Sequence, residues 1–117
     1  MTHDVIIALG SSHQQAVHIQ WASERLASCL QHLRFSRKLW TEDIRGTGIF
    51  YMNRLAAAST TLSATALEQL LKAIEAETRR TSDSVTLDLD LMQFDSQRFH
   101  EKDWPRPYIQ QLLPDIQ

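Results

Sequence analysis

The most regular alternation of apolar and polar residues in the chain runs from Thr86 to Phe94. Leucine occupies positions 87, 89 and 91, which is the two-residue period of a β-strand with one apolar face. The pattern therefore predicts a long strand that packs its leucines against a core. Its opposite face is predicted to carry Thr86, Asp88, Asp90, Met92 and Phe94.

The two aspartates of this strand are its candidate chemistry. Carboxylates at alternate positions lie on one side of a strand, with Cα atoms roughly 7 Å apart. At that distance two unit charges repel by about 2 kcal/mol if the effective dielectric constant is about 20. Mg²⁺ binds carboxylate oxygens and usually shares them with phosphate, so the pattern predicts a Mg²⁺–nucleotide site at Asp88 and Asp90. The solvent-facing side of a half-exposed sheet is the alternative interpretation.

The remaining hydrophobic patterns predict three more strands and two amphipathic helices. Strands are expected over residues 4–9, 34–40 and 50–61, and helices over residues 13–33 and from a cap at Ser63 or Thr65 to Arg80. The resulting order, β-α-β-β-α-β, predicts a ferredoxin-like α+β fold, an antiparallel sheet with both helices packed on one face. Prolines near residue 105 predict an irregular tail that ends in a helical turn at residues 109–113.

The apolar stripe of the first helix decides the role of the single cysteine. The residues that fall mostly on one side of that helix are Val17, Trp21, Leu26, Cys29, Leu30 and Leu33. We therefore expect Cys29 to be a core residue rather than a nucleophile.

Length, charge and composition narrow the class of protein. The chain has 117 residues, so one domain spanning residues 1–117 is expected. A net charge of −2 argues against a nucleic-acid partner, and an RNA-binding version of this fold would need a basic face where the strand offers Asp88 and Asp90. One cysteine, no apolar run long enough to span a membrane and no signal-peptide pattern favour a cytoplasmic location without a membrane partner.

Several short motifs, in this order and spacing, resemble the 6-hydroxymethyl-7,8-dihydropterin pyrophosphokinase family of folate biosynthesis. The resemblance covers essentially the whole chain. Its most specific piece is Thr86-Leu87-Asp88-Leu89-Asp90. The other pieces are Ala8-Leu9-Gly10-Ser11, Tyr51-Met52-Asn53, Ile74-Glu75, and His100 followed by Arg106 and Tyr108.

The resemblance implies a reaction and a role for each matching residue. The reaction is transfer of the pyrophosphoryl group of ATP to the hydroxymethyl oxygen of the pterin, releasing AMP. Asp88 and Asp90 are implied to be the catalytic residues that hold two Mg²⁺ ions. The implied nucleotide contacts are Glu75, Arg80, His100 and Arg106. The implied pterin contacts are Thr41, Tyr51, Asn53 and Tyr108.

The chain also departs from the family pattern, which leaves a second interpretation open. Only residues 81–85 separate Arg80 from Thr86, and this segment contains neither arginine nor tryptophan, so the chain resembles a short member with a truncated lid. Closing loops often complete a catalytic site. A diverged relative that binds a nucleotide or pterin, with weak or no activity, is therefore the alternative to an active pyrophosphokinase.

Overall fold

A computed structural model describes residues 1–43, 45–78 and 86–117 of the chain. In chain order the elements are β1 His3–Ser11, α1 Gln15–Cys29, β2 Gln31–Phe35, β3 Leu39–Glu42, β4 Phe50–Thr60, α2 Ala64–Thr78, β5 Asp88–Phe94, β6 Gln97–Arg98 and α3 Pro107–Ile116. No helix of the described ranges is both long and apolar enough to cross a membrane.

All strands belong to one antiparallel sheet with the order β2-β4-β1-β5-β6, and β3 also pairs with β4. The two central strands, β1 and β4, are flanked by β2 and β3 on one side and by β5 on the other. This topology confirms the predicted ferredoxin-like α+β fold.

The second predicted strand is interrupted. Its residues divide between β2 and β3, and Ser36 lies in the gap with 1 % of its surface exposed. The Ser36 hydroxyl accepts a hydrogen bond from the amide of Leu55 at 2.8 Å and donates one to the carbonyl of Arg37 at 2.8 Å. The side chain thus replaces part of the strand ladder, and the chain changes direction before β3.

Helices cover both faces of the sheet, so the expectation of helices on one face alone was incomplete. Helices α1 and α2 bury the leucine face of β5 together with Val5, Ile7 and Leu9 of β1. Helix α3 covers the opposite face and is ten residues long, not the single turn that was expected. Pro107 lies at its start, where proline is tolerated, and its buried residues follow a helical i, i+3, i+4, i+7 spacing: Ile109, Leu112, Leu113 and Ile116.

The predicted stripe of the first helix was wrong in part. The side that α1 buries is Ile19, Ala22, Ser23 and Leu26, again at i, i+3, i+4 and i+7. Val17 is 66 % exposed because it lies outside this spacing, and Cys29 is exposed because it is the last residue of the helix. Cys29 is therefore not a core residue. Leu33, predicted on the same stripe, belongs to β2 instead.

A register shift in β5 separates the two halves of that strand. Ile7 pairs with Leu91 whereas Ile6 pairs with Gln93, so Met92 is an extra residue in β5. Leu89 and Leu91 face α1 and α2 as predicted, and Met92 packs under α3. Phe94, predicted on the aspartate face, instead packs against the α1–α2 core because the shift reverses the alternation.

Candidate functional site

An open cavity of about 800 Å³ lies on the α3 side of the sheet, between the ends of β1, β4 and β5, the β3–β4 hairpin and the start of α3. Seven of the sequence-predicted residues line it: Thr41, Tyr51, Asn53, Asp88, Asp90, Arg106 and Tyr108. Residues from five separate parts of the chain therefore meet in one place.

Strand register explains how these residues meet. Gly10 of β1 pairs with Asn53 on one side and with Asp88 on the other, and Asn53 in turn pairs with Leu39 of β3. Because adjacent strands are about 4.8 Å apart, Asn53 and Asp88 stand roughly 10 Å apart across Gly10. We call Asn53, Gly10 and Asp88 the cross-strand row.

Gly10 keeps the middle of this row open. A Cβ atom added at Gly10 would stand 3.5 Å from the Asn53 side-chain oxygen, an ordinary contact distance. The fold therefore has room for alanine there, but its methyl group would occupy the cavity floor between the amide and the carboxylate. Ala8, which pairs with Asp90, is the next residue on this face and is also small.

Asp88 and Asp90 form a like-charge pair in partly desolvated surroundings. Burial, and next the charge of Asp88, raise the pKa of Asp90 from 3.8 to about 6. Within the described ranges, no lysine or arginine forms an ion pair with either aspartate, and the Nε2 of His100, which is charged only if protonated, lies 4.0 Å from Asp90 Oδ1. The pair therefore carries an electrostatic cost that a bound cation would remove.

These two carboxylates fit a Mg²⁺ site by their chemistry. Their oxygens are the hard ligands that Mg²⁺ prefers, and they border a cavity large enough for phosphate groups and water to complete the coordination. No group of three or more His, Cys, Asp or Glu residues suited to a metal occurs in the described part of the chain. Such a site would thus rely on ligand phosphate and water, as Mg²⁺ sites at nucleotides commonly do.

Asn53 is oriented by its neighbours on β3. Its Nδ2 donates to Thr41 Oγ1 at 2.7 Å and to the Leu39 carbonyl at 3.4 Å, and a carbonyl can only accept. The amide orientation is therefore fixed, and Asn53 Oδ1 has no hydrogen-bond partner among the described residues. Because Thr41 Oγ1 already accepts a hydrogen bond, its own proton is available to a ligand. The two side chains can thus offer one acceptor and one donor.

The segment before α3 and the first turn of that helix supply a positive charge and an aromatic ring. Arg106 lines the cavity, and its Nε lies 3.0 Å from Oδ1 of Asp103. Tyr108 also lines it and is half-buried, which raises the pKa of its hydroxyl. The buried Trp104 anchors this segment by donating from Nε1 to the Phe99 carbonyl at 3.0 Å.

Among the described residues, Glu75 does not line the cavity. Glu75 belongs to α2, and its Oε2 accepts a hydrogen bond from the backbone amide of Leu89 at 2.6 Å. It therefore holds the outer edge of β5 between the two aspartates. Arg80 and the short segment of residues 81–85 lie outside the described residues, so their predicted roles stay predictions.

Sequence reasoning missed Asp103, which lies on the cavity wall beside Arg106. It also missed Asp43 and Arg45 of the β3–β4 turn, which line the same cavity and approach each other to 3.6 Å. The i, i+3 spacing of Asp103 and Arg106 was the only signal in the sequence, and it indicates a local ion pair rather than a site.

The cavity brings paired carboxylates, a guanidinium and a side-chain amide together on one face of the ferredoxin-like sheet, a set of groups suited to a small polar ligand. The chain belongs to the 7,8-dihydro-6-hydroxymethylpterin-pyrophosphokinase family, whose model matches residues 6–117. This family carries out pyrophosphoryl transfer in folate biosynthesis, with ATP as co-substrate and typically with Mg²⁺. A comparison with curated proteins found no match.

Proposed function

We propose that this chain is a 2-amino-4-hydroxy-6-hydroxymethyldihydropteridine pyrophosphokinase, which transfers the pyrophosphoryl group of ATP to 6-hydroxymethyl-7,8-dihydropterin and releases AMP. The observation that supports this most directly is the cross-strand row. An amide suited to a heterocycle edge and a carboxylate suited to a phosphate-bound cation stand roughly 10 Å apart over a floor without a side chain. This separation suits two substrates that must meet above Gly10.

The pterin is proposed to occupy the Asn53 side of the cavity. Its edge presents both donors and acceptors, which match the free Oδ1 of Asn53 and the free hydroxyl proton of Thr41. Tyr51 and Tyr108 supply aromatic surface at the same cavity for the flat ring. In this orientation the hydroxymethyl group points across Gly10 towards the aspartates.

The nucleotide is proposed to occupy the Asp88 side. Asp88 and Asp90 would hold Mg²⁺, which when bound neutralises charge on the phosphate chain. Arg106, which lines the cavity, and His100, whose Nε2 lies 4.0 Å from Asp90 Oδ1, are proposed to contact phosphate oxygens, and Arg80 is proposed to assist. Glu75 is proposed to support the nucleotide site through the backbone of β5.

The reaction itself demands positioning more than covalent chemistry from the protein. The hydroxymethyl oxygen forms a bond to the β-phosphorus of ATP and loses its proton, while the bond between the β-phosphorus and the α,β-bridging oxygen breaks and AMP leaves. The protein's share is to align the two substrates and to offset the phosphate charge. The residues of the cavity can do both.

The second candidate function is ligand binding without efficient turnover. The observation that favours it is the five-residue segment 81–85, which contains no arginine or tryptophan to cover the nucleotide. If this alternative holds, the protein will bind the Mg²⁺–ATP analogue and pterin yet release no AMP.

An assay of AMP and pyrophosphorylated pterin tests the proposal. The wild-type protein should form both products in equal amounts, and only with Mg²⁺. Asp88→Asn should abolish product formation, whereas Asp95→Asn, a matched change at the other end of β5 and outside the cavity, should retain it. If the wild-type protein neither releases AMP nor binds pterin, the proposed function is wrong.

A further inference from the structure

Arg106 is the only cationic residue among the cavity-lining residues that the structure describes between positions 103 and 111. Asp103 forms an ion pair with it. Its Oδ1 lies 3.0 Å from the Nε of Arg106, and about a quarter of the Asp103 side chain (26 %) is exposed. The carboxylate therefore forms an ion pair with the inner nitrogen of the guanidinium. The two terminal nitrogens, with four N–H groups, are left for another partner.

The backbone around this pair is held as firmly as the side chains. Successive turn hydrogen bonds run from the Asp103 amide to the His100 carbonyl at 2.8 Å and from the Arg106 amide to the Asp103 carbonyl at 3.0 Å. Pro107 restricts Arg106 to an extended backbone, and the observed φ of −61° and ψ of 140° agree. The Arg106 side chain is then the remaining flexible part, and its ion pair with Asp103 restrains the guanidinium.

Asp103 is an unfavourable choice of residue if charge alone matters. It brings a third carboxylate towards the Asp88–Asp90 pair, and it competes with phosphate for Arg106. A neutral residue at position 103 would leave the cavity more positive. Asp103 can therefore favour phosphate binding only in one way. The affinity gained by orienting the guanidinium of Arg106 must exceed the affinity lost to the extra negative charge.

We propose that Asp103 is a positioning residue, which holds the terminal nitrogens of Arg106 towards the phosphate chain of the nucleotide. This inference rests on the proposed function, because it assigns the nucleotide to this side of the cavity. Asp103 itself does not contact the substrate in this scheme. Its effect passes entirely through Arg106.

Measuring nucleotide affinity distinguishes the proposed positioning role of Asp103 from simple repulsion between its charge and the phosphates. The probe is a non-hydrolysable ATP analogue with Mg²⁺, titrated calorimetrically into the wild-type protein and its variants. Asp103→Ala should weaken binding by roughly tenfold, since the guanidinium loses its direction. Asp103→Asn should weaken it less, because its amide oxygen can still lie beside Nε. Glu101→Ala, which removes an exposed acid from the same turn, should leave the affinity unchanged.

A double-mutant cycle excludes a merely structural role. In an Arg106→Ala background, Asp103→Ala should have no further effect on nucleotide affinity, because the side chain that it orients is gone. A structural role for Asp103 would instead weaken binding in both backgrounds and lower the unfolding temperature. Either of those two results would overturn the inference.

The remaining outcomes distinguish this inference from the proposed function. If the wild-type protein binds the analogue and Asp103→Ala binds it equally well or more tightly, Asp103 is only a repelling charge, and the inference alone fails. If the wild-type protein binds no analogue, the proposed function and this inference fail together.

Discussion

Replacing Asp90 with asparagine should stabilise the metal-free protein at neutral pH while removing its nucleotide binding. Burial, and next the charge of Asp88, raise the pKa of Asp90 from 3.8 to about 6 in the fold. The folded state therefore disfavours the ionised side chain. The resulting loss of stability sets in as the pH rises above the unfolded pKa and is complete above the folded pKa.

The size of the effect follows from these two pKa values. Each pH unit between them corresponds to about 1.4 kcal/mol in the free energy of unfolding, so the ceiling is about 3 kcal/mol. The Asp90 side chain is 34 % exposed, and solvent screening reduces the expected gain to about 1–2 kcal/mol. Asparagine has nearly the same shape and no charge, so the gain should appear at pH 7.5 and vanish near pH 4.

Urea unfolding in the presence of EDTA at several pH values measures this difference. Asp95→Asn is the matched control with the opposite sign. The hydrogen bond from His3 and the amide of Asp4 lower the pKa of Asp95, so this stabilisation is present at neutral pH and lost as the pH falls through the lowered pKa. Mg²⁺ with the ATP analogue should then raise the unfolding midpoint of the wild-type protein but not that of Asp90→Asn. Should Asp90→Asn be less stable than wild type at pH 7.5, the ionised carboxylate stabilises the fold and the reasoning is wrong.

Three further changes test the cavity and its support. Asn53→Ala should weaken pterin binding by about 1–3 kcal/mol in calorimetry and leave Mg²⁺–nucleotide binding intact; equal pterin affinity would remove Asn53 from the pterin site. Gly10→Ala should raise the free energy of unfolding, measured in urea, by about 0.5–1 kcal/mol and yet reduce AMP release. Retained turnover would mean that the substrates do not meet above Gly10. Glu75→Ala should lower the free energy of unfolding by about 1–2 kcal/mol. Glu75→Gln can still accept the hydrogen bond from the Leu89 amide, so it should lose less stability. Equal losses in the two variants would contradict the role of that hydrogen bond.

Strand β5 and the placement of its two aspartates were predictable because they depend on local pattern. Strict alternation across Leu87, Leu89 and Leu91 fixes both the strand and its buried face, and the same alternation puts Asp88 and Asp90 together. The element order then limits the topology to few choices, and the ferredoxin-like arrangement is confirmed.

What could not be predicted depends on packing between distant segments. The pairing of Asn53 with Gly10 and of Gly10 with Asp88 requires the register of three strands, which no local pattern specifies. The break at Ser36 depends on a hydrogen bond to β4 that forms only in the folded sheet. The length of α3 was underestimated because its two prolines argued against a regular helix. Its apolar residues nevertheless follow a helical spacing, and they pack against the sheet.

The costly features of this fold coincide in space, and that coincidence argues for a ligand. A glycine within central strand β1 and a like-charge pair at Asp88 and Asp90 each lower stability, and beside them the Oδ1 of Asn53 has no hydrogen-bond partner among the described residues. Random placement would scatter them over the sheet, yet strand register brings them onto one cavity floor. A heterocycle edge would satisfy the amide, and a phosphate-bound cation would neutralise the carboxylates. It follows that Gly10→Ala and Asp90→Asn, which should stabilise the free protein, are the changes expected to remove its function.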